Sequence, residues 1–281
     1  MKRLLAEALR KTRLAGEAGT VIRLSNFGDL MASAVSVEKA TLYEKYRLPY
    51  AREVVDGLLE HIGEVQVIAD IGAGTGQLSR LFANRSSNVY AVEPDHKMRE
   101  VASVSLTGFE MIEILAGFAE HLPIADGSMD LVVIGNAFHR FKPESCEDLR
   151  RILKTQGWIA LFSYEFANEE FTEMLASRLS PLKALTNRIE ASSHRTPIQD
   201  LFGAAQIHTL SCLQSHTEDW IAFFGAACAG LEAPECNDQT FARFEAVYRE
   251  IFDTFAHNGK ITIIYETQVT FGQPLFGLKA E

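Results

Sequence analysis

The sequence predicts an α/β fold, a mostly parallel sheet with helices on both faces. Three observations carry that prediction. Short apolar runs of strand type recur around Val67, Ile68 and Ile71 and again at Asn88–Val92, Met111–Leu115, Met129–Gly135 and Trp158–Tyr164. Segments with helical spacing separate several of them, such as Gln77–Asn84 with Leu78, Leu81 and Phe82. Gly72, Gly74 and Gly76 break the first run at the point where a strand must turn into a helix.

Taken in order, Met1–Ala15 places Leu4, Leu5, Ala8 and Leu9 at helical spacing among Lys and Arg, which reads as an amphipathic helix. Arg23–Met31 contains Asn26 and Gly28 and reads as a turn. Ala40–Leu59 is helical, interrupted at Leu48-Pro49. Asp95–Val104 is a helix, Asp126–Ser128 a turn, and Glu144–Leu153 a helix with Leu149, Ile152 and Leu153 on one face. Glu165–Arg195 is helical with a break expected at Ser180-Pro181. Ala204–Cys212 reads as a sixth strand, and Thr217 as the N-cap of a helix that includes Trp220. Phe241–Phe255 is amphipathic, and Ile261–Phe271 alternates as a strand.

The 281 residues suffice for one large domain or a core with an added lobe, and 47% apolar content supplies a sizeable core. A formal charge of −10 argues against a nucleic-acid backbone as partner. Cys146, Cys212, Cys228 and Cys236 form no C-x-x-C pair, and the spacing of His194, His208 and His216 fits no metal signature, so no metal is expected. No apolar run reaches the length of a membrane span, and the basic start lacks the apolar stretch of a secretory signal. A cytoplasmic protein, monomeric or homodimeric, is expected.

The glycine turn has a specific chemistry. Glycines let a backbone approach a ligand, and the helix that follows points free N–H groups at it. Glu93, at the end of the second strand, can accept two hydrogen bonds from a ribose diol. Asp70, two residues before Gly72, would repel a pyrophosphate and attract a cation such as an α-ammonium. The spacing is not the G-x-G-x-x-G of dinucleotide sites, and no triphosphate loop of type G-x-x-x-x-G-K-[ST] is present.

Asp70-Ile71-Gly72-Ala73-Gly74-Thr75-Gly76 and Val92-Glu93-Pro94-Asp95 resemble motif I and the following acidic strand end of class I S-adenosylmethionine-dependent methyltransferases. The resemblance extends to their small-molecule branch, the type 11 or trans-aconitate-methyltransferase-like family. Gly117-Phe118-Ala119-Glu120-His121-Leu122-Pro123 resembles its G-x-A-E-x-L-P segment. Asn136-Ala137-Phe138-His139-Arg140-Phe141 resembles Q-A-F-H-W-F, with Arg140 in place of Trp. Tyr43–Tyr50 loosely resembles the family's Y-x-x-x-R-P-x-Y-P lead-in, and Lys154–Gly157 stands where relatives carry L-K-P-G-G.

The resemblance implies a Rossmann-like sheet of seven strands, with one antiparallel strand near the edge and a mostly helical covering lobe. It implies S-adenosyl-L-methionine as cofactor and S-adenosyl-L-homocysteine as product. Tyr46 and Arg47 would lie near the methionine carboxylate. Asp70, Gly72, Ala73, Gly74, Gly76, Glu93 and Pro94 would hold the amino acid and the ribose. Met98, Phe118 and Ala119 would face the adenine, with Phe118 stacking, and Asn136 and His139 would close the site. Expected boundaries are 1–60 for a lead-in and lid, 61–164 for the core, 165–260 for a covering insertion and 261–281 for the closing strand.

His139 doubles as a candidate base, Arg140 as a candidate clamp for a substrate carboxylate, and Trp220 as a substrate-facing residue. The expected activity is methyl transfer to a small-molecule oxygen, carboxylate or hydroxyl. A cofactor-binding protein without turnover, a methyltransferase for RNA or protein, and a nicotinamide oxidoreductase remain alternatives. Asp70 and the glycine spacing speak against the last.

Overall fold

In the computed structural model the described residues are 36–186, 196–230 and 233–274. The expectations for Met1–Ala15, Arg23–Met31, His194 and Arg195 lie outside them.

Ser36 caps α1 (Val37–Tyr46), its hydroxyl accepting the Lys39 N–H at 3.2 Å. Leu48-Pro49 then separates α1 from α2 (Arg52–Ile62), because the residue before a proline is pushed out of the helical region. The apolar run becomes β1 (Val67–Ile71), followed by α3 (Gln77–Phe82), β2 (Asn88–Val92), α4 (His96–Ser105) and β3 (Ile112–Leu115). Next come β4 (Met129–Gly135), α5 (Ser145–Arg151) and β5 (Leu153–Phe166). The rest is α6 (Glu169–Thr186), α7 (Ile198–Phe202), β6 (Ile207–Asp219), α8 (Trp220–Ala229), α9 (Phe241–Phe255) and β7 (Lys260–Gly272).

The seven strands lie in the order β3-β2-β1-β4-β5-β7-β6. The first five pair in parallel, and β7 runs antiparallel between β5 and β6. The expected sheet, with a single reversed strand near its edge, is the one observed.

Period-two alternation sends neighbouring residues to opposite faces. Ala69, Ile71, Val132 and Ile134 pack on one face with Leu149 of α5 and Phe202 of α7. Ile68, Leu131 and Val133 pack on the other with Val54, Val55 and Leu58 of α2. Both faces are buried, which is why these strands read as continuous apolar runs. A third cluster joins Phe171, Phe223, Ile251 and Phe252 of the helical lobe to Ile261, Ile263 and Tyr265 of β7.

Two expectations need correction. The sixth strand is not Ala204–Cys212 but extends to Asp219, because β7 pairs with it residue for residue as far as Asp219 opposite Lys260. Thr217 is therefore inside the ladder, its hydroxyl 3.0 Å from that of Thr262, and Asp219 caps α8 by accepting the Ala222 N–H at 2.9 Å. The helix after β5 also does not break at Ser180-Pro181; it continues to Thr186, the proline ring removing only one donor from the helix.

Candidate functional site

The site is built where β1 and β4 end. Asp70 is fully buried at the end of β1, its Oδ2 accepting the Ser79 hydroxyl of α3 at 2.6 Å. Its Oδ1 has no hydrogen-bond partner. Burial pushes the Asp70 carboxyl up from its usual 3.8 to about 7, against the pull of Ser79, and Glu93 adds to the rise.

The glycine turn wraps over this carboxyl. The Gly72 and Ala73 N–H groups both donate to the Val92 carbonyl, at 2.8 and 3.1 Å, which ties the turn to the end of β2. A Cβ on Gly72 would stand 2.7 Å from the Ala137 Cβ, so the turn and the loop after β4 are in close contact. Gly76 precedes α3 with φ near +86°.

Glu93 is buried and divides its carboxylate between two backbone donors. Oε2 accepts from Gly74 and Oε1 from Asp95, each at 2.8 Å. Burial raises its pKa, and the Asp95 and Gly74 N–H bonds oppose the rise. A carboxylate offers about four acceptor positions, so two remain for a diol. Pro94 sits beside it, its carbonyl held by Arg99 at 2.6 Å.

The lead-in segment supplies a cluster that the sequence did not reveal. The Arg47 guanidinium lies 5.2 Å from the Tyr43 ring centre and 5.0 Å from that of Tyr164 on β5. Its buried Nε has no hydrogen-bond partner. Tyr50 rests near Tyr164 at 6.0 Å, and its hydroxyl would meet a Cβ on Gly135 at 2.7 Å. Burial raises the Tyr50 pKa well above 10, and Tyr43 and Tyr164 add to it. No recurrent spacing links Tyr43, Tyr50 and Tyr164; only the fold brings them together.

Other expected residues sit as follows. Tyr46 lies over Gly225 of α8, where an added Cβ would stand 2.5 Å from its Cδ2. The tyrosine of α1 that faces the turn is Tyr43, whose Cε1 is 4.0 Å from where Gly74 would carry a Cβ. Met98 is buried against Ala40 and Tyr43, so it props α1 over the site. Phe118 is 48% exposed beside buried Ala119, which leaves its ring free to cover a ligand. Asn136 adopts φ of 50°, its N–H donates to the Phe162 carbonyl at 2.9 Å, and its buried Nδ2 has no partner.

His139 and Arg140 occupy an exposed 3₁₀ turn after β4, where Arg140 Nε lies 3.3 Å from His139 Nε2. Trp220 stacks on Phe224 at 4.9 Å and carries the Arg249 guanidinium 3.5 Å above its ring; α8 begins two residues later than its sequence cap suggested. Among the described residues no group of three or more metal-ligating side chains gathers, and no helix is long and apolar enough to cross a membrane.

The loop carrying Phe118 and Ala119 is held from behind. Arg151 donates to the carbonyls of Leu122 and Ile124 at 3.0 and 2.8 Å and pairs with Asp148, which accepts the Leu122 N–H. Arg151→Met should therefore cost about 2 kcal/mol of stability, read from the urea midpoint at unchanged slope.

Comparison with known proteins agrees with this geometry. Residues 69–161 match the family model described as a methyltransferase domain. An uncharacterized methyltransferase of Mycobacterium tuberculosis is 32% identical over 120 residues, 42% of this chain and 47% of the relative. A malonyl-[acyl-carrier protein] O-methyltransferase of Geobacter sulfurreducens is 33% identical over 144 residues, 49% of this chain and 52% of the relative. The match thus spans about half the length of these curated relatives. The crystal structure of the YcgJ protein of Bacillus subtilis shares the fold, with a TM-score of 0.52 at 20% identity over 81% of this chain and 100% of that one. Residues 69–161 of this chain therefore match a methyltransferase domain, within a sheet whose fold the YcgJ structure shares.

Proposed function

We propose that the chain transfers a methyl group from S-adenosyl-L-methionine to an oxygen of a small-molecule acceptor, releasing S-adenosyl-L-homocysteine. The observation that carries this reading is Asp70, a buried carboxylate with one oxygen unpartnered inside a glycine turn. Such a group needs a cation, and an α-ammonium supplies one.

The residues present fit that cofactor. Asp70 would take the ammonium, and the unpartnered Nε of Arg47 would take the α-carboxylate. Glu93 would accept from the ribose diol with its remaining lone pairs, while Phe118 and Ala119 would border the adenine. The Nδ2 of Asn136 and the His139 turn would close the mouth at the end of β4. When bound, the cofactor supplies a methyl group already activated on a sulfonium. The protein then has to align the acceptor and exclude water, which is where tyrosines 43, 50 and 164 contribute. The Geobacter relative, named for an O-methyltransferase activity, supports oxygen as the accepting atom. The formal charge of −10 supports a small molecule over a nucleic acid.

Isothermal titration with S-adenosyl-L-methionine, S-adenosyl-L-homocysteine and NAD tests the reading. Heat with the first two and none with NAD is expected; the reverse pattern overturns it. Arg47→Met should weaken binding of the donor by about tenfold or more, as expected for loss of a charge-assisted hydrogen bond, and leave the fold intact by circular dichroism.

A further inference from the structure

An open cleft of about 410 Å³ lies between the end of α1, the end of β6, the start of α8 and the start of β7. Lys45, Tyr46, His216, Glu218, Ile221 and Lys260 border it. Since β6 runs parallel to β1, β4 and β5, its carboxyl end opens on the same edge of the sheet as the turn. Glu218 of the cleft stands close enough to Tyr164 and Tyr265 to add to the rise that burial gives the pKa of both. Tyr164 in turn packs on Arg47 at 5.0 Å and on Tyr265 at 5.7 Å.

Glu218 is the unusual member. It is only 5% exposed, yet among the described residues the one basic side chain within 4 Å of its carboxyl is His216, whose Nε2 stands 3.5 Å away. His216 itself is half exposed. The groups facing Glu218 are Asp219 and His216 from its own strand, Tyr164 from β5, Tyr265 from β7, and Lys45 and Lys260 across the cleft. Among the described residues no lysine or arginine pairs with it.

We propose that this cleft binds the methyl acceptor, that the methylated group is a hydroxyl, and that Glu218 takes its proton while His216 relays that proton to solvent. The inference rests on the methyl-transfer reading above. The acceptor O–H bond breaks and its proton goes to a Glu218 oxygen. The acceptor oxygen's electron pair forms the bond to the donor's methyl carbon, and the carbon–sulfur bond breaks with its electrons left on sulfur. A carboxylate acceptor would need no base and would be repelled by Glu218. A hydroxyl needs a base that titrates near neutrality, and burial with Asp219 beside it brings Glu218 to about 7. Lys45 and Lys260 at the mouth suit an anionic tail, so the substrate class is a hydroxylated acid.

The experiment uses the full chain, methyl-labelled donor, and a panel of phenols, aliphatic hydroxy acids and hydroxyl-free carboxylic acids, across a range of pH. Transfer to a hydroxyl compound is expected, with kcat rising to a plateau above pH about 7. Glu218→Gln should lower kcat by about 100-fold or more, lose the pH dependence, and leave donor affinity by calorimetry unchanged. His216→Gln should shift the limb of the profile. Independently of turnover, the infrared band of a protonated carboxyl should titrate near neutrality in the wild type and lack that component in Glu218→Gln. Transfer confined to hydroxyl-free carboxylic acids, no transfer to any hydroxyl while the donor binds, or undiminished kcat in Glu218→Gln overturns the inference. Failure of the wild type to bind the donor at all overturns the methyl-transfer reading itself, and this inference with it.

Discussion

Replacing Asp70 with asparagine should weaken binding of S-adenosyl-L-methionine by about 100-fold or more and, at the same time, raise the melting temperature of the ligand-free protein. The two effects have one cause. The Asp70 carboxyl is buried, with Ser79 on Oδ2 and nothing on Oδ1. Without a cation it is costly to ionise, which is why its pKa stands at about 7. Because the folded value lies above the unfolded one, the unfolded chain releases a proton near pH 4 that the folded chain keeps until about 7. Stability of the free protein therefore falls as pH rises through that window and stays low above it. Asparagine keeps the Ser79 contact and carries no charge, so it should add about 1–2 kcal/mol above pH 7 and abolish that pH dependence.

An α-ammonium reverses the balance. It pairs with the ionised form, so affinity of the wild type for the donor should rise with pH through about 7 and flatten above it. The variant should show a flat, weak profile. Calorimetry of binding and thermal denaturation at matched pH values check both halves. A variant that binds the donor as tightly as the wild type would remove the central support for the proposed function.

The second large effect is expected at Gly76. Its φ of +86° is a conformation that costs a residue with a side chain about 1–2 kcal/mol. The added Cβ would also stand 2.7, 2.8 and 2.9 Å from the Cδ1, Cδ2 and Cγ atoms of Leu106. Leu106 is 6% exposed, and its N–H is tied to the Ala102 carbonyl at 2.9 Å, so its branch point has little room to retreat. Overpacking of this kind costs about 1–3 kcal/mol. Gly76→Ala should thus destabilise by about 2–5 kcal/mol. The double variant Gly76→Ala/Leu106→Ala separates the terms. Relief of the overlap should make the pair less destabilised than the sum of the single changes, while the backbone term remains. Urea denaturation of the four proteins measures this, and strict additivity would show that Leu106 is not what fixes the glycine.

Much of the site was legible because its parts are contiguous. Asp70, the three glycines and Glu93 lie within one strand–turn–helix–strand unit, and local rules of backbone geometry and charge act inside such a unit. The mostly parallel sheet with one reversed strand near its edge was legible too, from the resemblance, while the order of its strands came from the structure. Tyr46 shows where this ends. Helical spacing places Tyr43 and Tyr46 on related faces of α1, and nothing local says which one α8 will take. Packing gave Tyr46 to Gly225 and left Tyr43 beside Gly74. Trp220 went the same way, into a stack on Phe224.

By itself, then, the sequence determined an α/β sheet with its glycine turn, an acid ahead of that turn and a second acid after β2. These follow from periodicity, from the conformational freedom of glycine and from charge, all of which operate over a few residues. Only the tertiary structure decided that Arg47 rests between Tyr43 and Tyr164 and that β6 runs on to Asp219. It alone put Glu218 under cover beside His216. Those placements depend on segments distant in the chain, brought together by strand pairing and burial that no single stretch encodes.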